Sequence, residues 1–375
     1  MSKKLVSDLM VNYLERRGVK YVFGLCGHTV IGMLDALSRS EKVKYISNRH
    51  EAVASTAADG YARLTHKASV VMCHLGPGLT NVLTGVANAA FDSIPMVVIA
   101  GDVPSYYFGK HPHQEVNMHG DATQYRILEP VVKRAWRVDD PESLPDIMDK
   151  AFRLAESGRP GPVLIDMPMD MFSREIEEDL WARTYHDSSV TAKPALDPAA
   201  AKAIAEKLVH AKNPVMHAGG GILLAQASEE LGALAEFLDI PVSRTLMGQG
   251  CLSDEHPLMI GQTGFWGLEH THHFTANADV ILGLGTRFAE ADSSSWYQGV
   301  TFDPAKTTFL QIDIDPMEIG RNYPVEIGAI ADLKIALVQI LEEAKRICPE
   351  GVRRPGLREE IAKAKADFKA TNVDI

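Results

Sequence analysis

Apolar residues recur at helical spacing over residues 5–17, Gly18 ends that run, and Tyr21-Val22-Phe23-Gly24 follows as a short apolar strand. The alternation then repeats. Residues 43–46, 68–73, 95–100 and 161–168 read as strands, and residues 51–64, 80–93 and 144–157 as helices. Strands that are apolar throughout are buried on both faces, so the pattern predicts a parallel sheet covered by helices on each side.

Residues 174–197 mix charge, Ser, Thr and Pro without a period and read as a linker after a first domain of residues 1–173. A second unit spans 198–345. It has helices at 198–211, 226–238 and 333–346, strands at 214–217, 240–243, 279–284 and 308–314, and three glycines, Gly219, Gly220 and Gly221, after its first strand. The tail, residues 346–375, is charged and helical in its centre with few apolar anchors, and reads as a helical connector. The expected fold class is therefore α/β, with two doubly wound parallel-sheet domains.

Composition narrows the classes. At 375 residues the chain exceeds the size of a single core, and 46% hydrophobic with 23% charged residues is a globular balance. A net charge of −11 without clustered Lys and Arg argues against a nucleic-acid partner. Cys26, Cys73, Cys251 and Cys348 lie far apart with no CxxC pair, as expected of free thiols in a reducing compartment, with cytoplasm the default. The N-terminus lacks a continuous apolar stretch and no run of about 18 apolar residues occurs, so neither secretion nor a membrane is expected.

Several stretches could carry chemistry, each with a plainer alternative. Gly76-Pro77-Gly78 sits between a strand and a helix, and is either a tight turn or a place where backbone approaches a ligand. The run Gly219–Gly221 stands at a similar crossing, but Ile222, Leu223 and Leu224 break the dinucleotide pattern GxGxxG. His270-Thr271-His272-His273 reads as a solvent-facing helix start, since metal ligands on a helix need a spacing of three or four and an acid or Cys nearby. Asp313 and Asp315 suit a turn or a ribose contact. Glu51 fits either a first-turn acid favoured by the helix dipole or a functional carboxylate.

Order and spacing bring these stretches together. Gly24-Leu-Cys-Gly27, Arg49-His50-Glu51, Ala58-Asp-Gly60-Tyr61-Ala62-Arg63 and Gly76-Pro-Gly78-x-Thr80-Asn81 occur in sequence, followed by Asp92-Ser93-x-Pro95, Gln114-Glu115, Gly158-Arg159-Pro160-Gly161-Pro162-Val163 and Ile312-Asp-Ile-Asp-Pro316-x-x-Ile319-Gly320. Over roughly residues 3–345 this resembles thiamine-diphosphate enzymes of the acetolactate synthase type, with an N-terminal pyrimidine-binding domain and a Rossmann-like central domain. The resemblance implies that Glu51 bonds N1′ of the cofactor's aminopyrimidine and favours the imino tautomer, whose nitrogen takes the proton from thiazolium C2. Such a role requires a carboxyl kept from bulk water. Gly76, Pro77, Gly78 and Asn81 would form the wall beside the pyrimidine, with Gln114 on the substrate side.

His28 and His74 depart from the acetolactate synthase pattern. His74 stands where benzoylformate decarboxylases carry a histidine, and the Gly27-His28-Thr29 stretch resembles cyclohexane-1,2-dione hydrolase. Both histidines are thus candidate acid/base groups, alongside the alternative of buried, hydrogen-bonded rings.

Acetolactate synthases hold FAD in the central domain, and the matching positions are Arg159, Gly219, Gly220, Gly221, Thr245, Leu246, Gly264, Phe265, Trp266, Gly285, Arg287, Asp313 and Asp332. Ala289 and Ala291 replace the usual acid and base, so an adenine nucleotide or an empty pocket stay open beside FAD. No residues for a metal are expected here. The Gly-Asp-Gly…Asn motif that holds the diphosphate through Mg²⁺ is not matched by Gly101-Asp102 or Gly120-Asp121, and is expected on a further domain or a partner chain.

The function expected is thiamine-diphosphate-dependent decarboxylation or carboligation of 2-oxo acids by a homodimer or tetramer. Two alternatives remain: a C–C lyase or hydrolase acting on a dione or aldehyde, and a noncatalytic flavin- or nucleotide-binding subunit.

Overall fold

A computed structural model describes residues 3–116, 123–184 and 192–371. Gly120-Asp121 and residues 185–191 of the expected linker lie outside the described residues. The chain separates into two compact units, Met1–Thr191 and Ala192–Ile375.

The first unit runs β1 (Lys3–Leu5), α1 (Val6–Arg16), β2 (Tyr21–Gly24), α2 (Ile31–Arg39), β3 (Lys44–Ser47), α3 (Glu51–Thr65), β4 (Ser69–Cys73), α4 (Pro77–Phe91), β5 (Met96–Asp102), β6 (Ala135–Arg137), α5 (Leu144–Glu156), β7 (Pro162–Pro168), β8 (Glu175–Glu177) and α6 (Asp179–Thr184). Six strands form a parallel sheet in the order β3-β2-β4-β5-β7-β6, and β1 pairs antiparallel with β8. Strands β4, β5 and β7 are buried along their whole length, as the unbroken apolar runs require. The chain leaves β2 toward β3 on one side and then returns to lay β4 on the other. That reversal opens a crevice at the carboxyl ends of β2 and β4, the place where doubly wound folds receive ligands.

Helices α3 and α4 cross closely because small residues face each other. Any side chain at Gly85 would run into Ser55, whose Oγ instead donates to the Glu51 carbonyl at 3.1 Å. Farther along, Arg63 ties Asp59 of α3 at 2.7 Å to Asp92 after α4 at 2.6 Å. Helix α3 ends at His66 in the left-handed region, φ 54°.

The second unit runs α7 (Pro198–His210), β9 (Pro214–Ala218), α8 (Gly221–Leu224), α9 (Ser228–Leu238), β10 (Val242–Arg244), β11 (Met259–Gln262), α10 (Glu269–Ala276), β12 (Val280–Leu284), β13 (Thr308–Asp313), β14 (Val325–Ile330), α11 (Leu333–Ile347) and α12 (Leu357–Thr371). Its sheet, again parallel, has the order β11-β10-β9-β12-β13-β14. The reversal falls between β9 and β12. In the core, fully buried His217 on β9 stacks on Phe288 at 5.4 Å and meets Phe302 edge-on at 5.2 Å, with Phe309 and Tyr323 completing an aromatic cluster.

Four expectations need correction. Residues 175–184 are not unstructured linker but β8 and α6, with Ile176 and Trp181 buried in the first core. The tail is anchored more firmly than its few apolar residues suggest, because Ile361 of α12 is buried in the second core. Arg354 also caps two helices at once. Its guanidinium donates to the carbonyls of Leu208 and Ala211 at the end of α7 and of Leu238 and Asp239 at the end of α9, with Arg354 N–H bonded to Asp239 Oδ2 at 2.8 Å.

The histidine run 270–273 does form the first turn of α10, but only His273 faces solvent. His270 packs edge-on against Phe368 of α12, and His272 Nε2 accepts the Gly264 N–H at 3.0 Å. Lastly, β6, β11 and β14 add edge strands that the apolar pattern did not predict. Two have three or four residues, and β14 alternates between half-buried and exposed positions, so none presents a continuous apolar run.

Candidate active site

The crevice of the first unit is built from four segments that meet at strand ends. After β2 the chain makes a short 3₁₀ turn, His28–Val30, with Thr29 fully buried. After β3, Asn48 N–H bonds the Gly24 carbonyl at 2.8 Å, and the His50 ring caps α3 by accepting the Ala52 N–H at 3.1 Å, which sets Glu51 in the first helical turn. After β4 come His74 and the turn Gly76-Pro77-Gly78. After β5 a long loop brings in Gln114.

Glu51 is 6% exposed, and Asn81 Nδ2 of α4 donates to its Oε2 at 2.9 Å. Oε1 takes no hydrogen bond from the described residues. The carboxylate is thus recessed, oriented by one neighbour and open at one oxygen. Burial pushes the Tyr45 hydroxyl up to about 12, with Cys26 and Glu51 adding to the shift, and burial likewise raises the Cys73 thiol.

The glycines here answer to close approach. Gly76 has φ +49°, and a Cβ on it would strike the Gln114 carbonyl; a Cβ on Gly27 would strike the His74 ring. Either substitution would displace a group of the site.

His74 is held at both nitrogens. Nδ1 lies 2.7 Å from Thr29 Oγ1 and Nε2 lies 2.9 Å from Gln114 Oε1, while Thr29 Oγ1 accepts the Leu75 N–H at 3.3 Å. Burial lowers the pKa of His74, against an opposing bond from Gln114. His28 differs. Its exposed ring meets His74 edge-on at 4.6 Å and makes no hydrogen bond among the described residues, so of the two candidate acid/base groups it has the free nitrogens.

Beneath the glycine turn lies a buried acid pair that the sequence reading missed. Gln124 Oε1 accepts the Gly76 N–H at 3.1 Å, and its Nε2 donates to the Gly101 carbonyl at 2.8 Å and to Asp166 Oδ1 at 2.7 Å. Asp166, within β7, and Asp102, at the end of β5, are fully buried. Burial raises the Asp102 carboxyl to about 6 and Asp166 well above the usual range, the second driven also by Asp102 beside it. A single proton held between the two carboxyls satisfies this arrangement. The available signal was an acid directly after an apolar strand, at Asp102, and an acid within one, at Asp166.

In the second unit the glycines meet each other across the reversal. A Cβ on Gly219 or on Gly221 would run into Gly285, so these glycines let the ends of β9 and β12 touch, and Gly220 faces Met247. Thr245 is buried, its Oγ1 accepting the Gly248 N–H at 3.0 Å, whereas Leu246 is 45% exposed. Arg287, just past β12, makes no side-chain hydrogen bond or ion pair among the described residues. Asp313 turns the end of β13 by accepting the Asp315 N–H at 2.9 Å. Asp332 caps α11 through the Lys334 and Ile335 N–H groups and pairs with Lys193 at 2.8 Å. Arg159 belongs to the first unit, where its Nε donates to Ser93 Oγ at 2.8 Å.

Among the described residues no three His, Cys, Asp or Glu converge to hold a metal, and no helix is long and apolar enough to cross a membrane. All four cysteines are free thiols.

Two parallel α/β units, the first with a recessed carboxylate beside a glycine turn at strand ends, define a doubly wound α/β protein with a candidate ligand crevice. Comparison with known proteins agrees. Residues 4–123 match the profile of "Thiamine pyrophosphate enzyme, N-terminal TPP binding domain", and residues 201–341 that of "Thiamine pyrophosphate enzyme, central domain". The chain is 34% identical over 358 residues to "Probable acetolactate synthase large subunit" of Methanococcus aeolicus, covering 95% of this chain and 58% of that protein. It is 36% identical over 341 residues to the acetolactate synthase large subunit of Buchnera aphidicola subsp. Schizaphis graminum, covering 91% and 58%, and 35% identical over 335 residues to acetolactate synthase isozyme 1 large subunit of Escherichia coli K12, covering 89% and 57%. The chain belongs to the thiamine pyrophosphate enzyme family, and is similar to acetolactate synthase large subunits while spanning a little over half their length.

Proposed function

We propose that the first unit presents the aminopyrimidine side of a thiamine diphosphate site, and that the completed protein uses it to decarboxylate or ligate 2-oxo acids. The observation that carries this reading is Glu51, recessed, bonded to Asn81 through one oxygen and open at the other beside the glycine turn. When bound, the cofactor supplies a ring carbon that becomes nucleophilic on losing its proton, and an electron sink for the bond broken in the substrate.

The chain's residues have the other roles. Glu51 shares a proton with the pyrimidine nitrogen, Asn81 keeps the carboxylate aimed, Gly76 and Gly78 admit the ring close to backbone, and Gln114 binds the substrate. The diphosphate and Mg²⁺ are assigned to a further domain or a partner chain, in a homodimer or tetramer. For the second unit we favour FAD at the reversal between β9 and β12, where Arg287 makes no hydrogen bond or ion pair among the described residues and Leu246 is exposed. Four free thiols are in keeping with a reducing compartment such as the cytoplasm.

The test is turnover of 2-oxo acids by the completed protein with Glu51→Gln. A loss of about 10²–10⁴-fold is expected for removal of a proton-transfer group, and wild-type turnover in the variant defeats the reading. A second reading, C–C cleavage of a dione or aldehyde, is favoured by the free ring of His28. There His28→Ala should abolish that cleavage, and an unchanged rate removes its basis.

A further inference from the structure

We propose that Thr29 is a positioning residue: through His74 it sets which way the Gln114 amide faces, so that the site offers hydrogen-bond donors to the carboxylate of a 2-oxo acid. The proposal rests on the 2-oxo acid reading above.

Gln114 stands at φ +69°, a conformation that a residue with a side chain adopts only when its surroundings enforce it. Two contacts enforce it here. Its carbonyl is packed on Gly76 where a Cβ would collide, and its Oε1 lies 2.9 Å from His74 Nε2. The orientation of this strained residue therefore depends on what His74 presents at Nε2.

Thr29 decides that. It is fully buried, and the backbone of Gly101 presses on its hydroxyl so closely that a Cβ there would clash. Thr29 Oγ1 accepts the Leu75 N–H, and the one acceptor within its reach among the described residues is His74 Nδ1 at 2.7 Å. A hydroxyl has a single proton, and the arrangement that satisfies every buried group has Thr29 donating to Nδ1. A neutral ring with its Nδ1 lone pair engaged carries hydrogen on Nε2, which donates to Gln114 Oε1. With its oxygen taken, Gln114 leaves its NH₂ group as the free end of the side chain. Burial acts in the same direction by disfavouring a charged His74. Were the hydrogen on Nδ1, the amide would turn to donate to the ring and would present its carbonyl oxygen, which repels a carboxylate.

The experiment has two arms. In the first, the full chain labelled with ¹⁵N-histidine is read by NMR at pH 7.5, the His74 signals being those lost in His74→Asn. Expected is the Nε2–H tautomer in the wild type and in Thr29→Ser, and loss of that single tautomer in Thr29→Val. A wild-type ring that is Nδ1–H or doubly protonated, or a Thr29→Val ring identical to the wild type, overturns the proposal.

In the second arm the completed enzyme is assayed with a 2-oxo acid and with an uncharged aldehyde. Thr29→Val should raise KM for the acid roughly tenfold or more, the effect of losing a hydrogen bond to a charged group, with KM for the aldehyde unmoved and Thr29→Ser near wild type. An unchanged KM for the acid, or equal rises for both substrates, overturns it. Failure of the wild type to turn over any 2-oxo acid would sink the functional reading and the substrate half of this proposal, while the NMR arm judges the Thr29–His74 lock separately.

Discussion

His217 makes the second unit sensitive to acid, and the size of the effect follows from its surroundings. The ring is fully buried among Phe288 and Phe302, Nδ1 meets Ser243 Oγ at 2.9 Å, and Nε2 has no partner among the described residues. Burial pushes its pKa down to about 3 from the ordinary 6.5. A histidine depressed in the folded state contributes stability that is fully present above pH 6.5 and is lost as pH falls toward 3, because only the unfolded chain takes up the proton. Linkage puts the loss at ~2 kcal/mol at pH 5 and ~4 kcal/mol at pH 3. The variant His217→Gln keeps a partner for Ser243 but takes up no proton. Urea unfolding at pH 7 and pH 5, with hydrogen exchange on β9 and β12 to report on this unit, should show a smaller loss of stability on acidification in His217→Gln by about 2 kcal/mol. Equal losses in the two proteins would refute the reasoning.

The Asp102–Asp166 pair has the opposite sign. Raised carboxyls favour the folded state at low pH and penalise it as pH climbs from about 4 through about 6, so Asp102→Asn should flatten that decline and exceed wild-type stability at pH 8 by about 2–3 kcal/mol, read from urea midpoints. A steeper decline in the variant would contradict the shared proton. Arg354→Met leaves carbonyls at the ends of α7 and α9 without their donor, and should lower protection of α12 amides by about 2–4 kcal/mol in hydrogen exchange. Unchanged protection there would show that Ile361, Arg358 and Lys365 hold the helix without Arg354.

How far the sequence led depended on the kind of signal. Strands β2, β4, β5 and β7 and helices α3 and α4 were legible because burial on both faces leaves unbroken apolar runs, and Gly76 and Glu51 because their order and spacing carry a family pattern. Thr29, Gln124 and the acid pair were not. Each acts through partners 23 to 64 residues away, such as the Thr29–His74 contact across 45 residues, and a spacing of that kind has no local period. The anchoring of the tail was hidden for a similar reason: Arg354 bonds carbonyls more than a hundred positions earlier. His28 and His74 looked alike in sequence, and only packing separates a ring locked at both nitrogens from one with both free.

The contact of Gly219 and Gly221 with Gly285 bears on which substitutions the second unit tolerates. A floor of bare backbone rejects any side chain, since a Cβ on Gly219 or Gly221 would meet Gly285 at 2.1 or 2.7 Å and force β9 from β12. Leu246, Arg287, Ala289 and Ala291 stand half-buried or exposed beside that floor, so side chains there can be exchanged without parting the strands beneath.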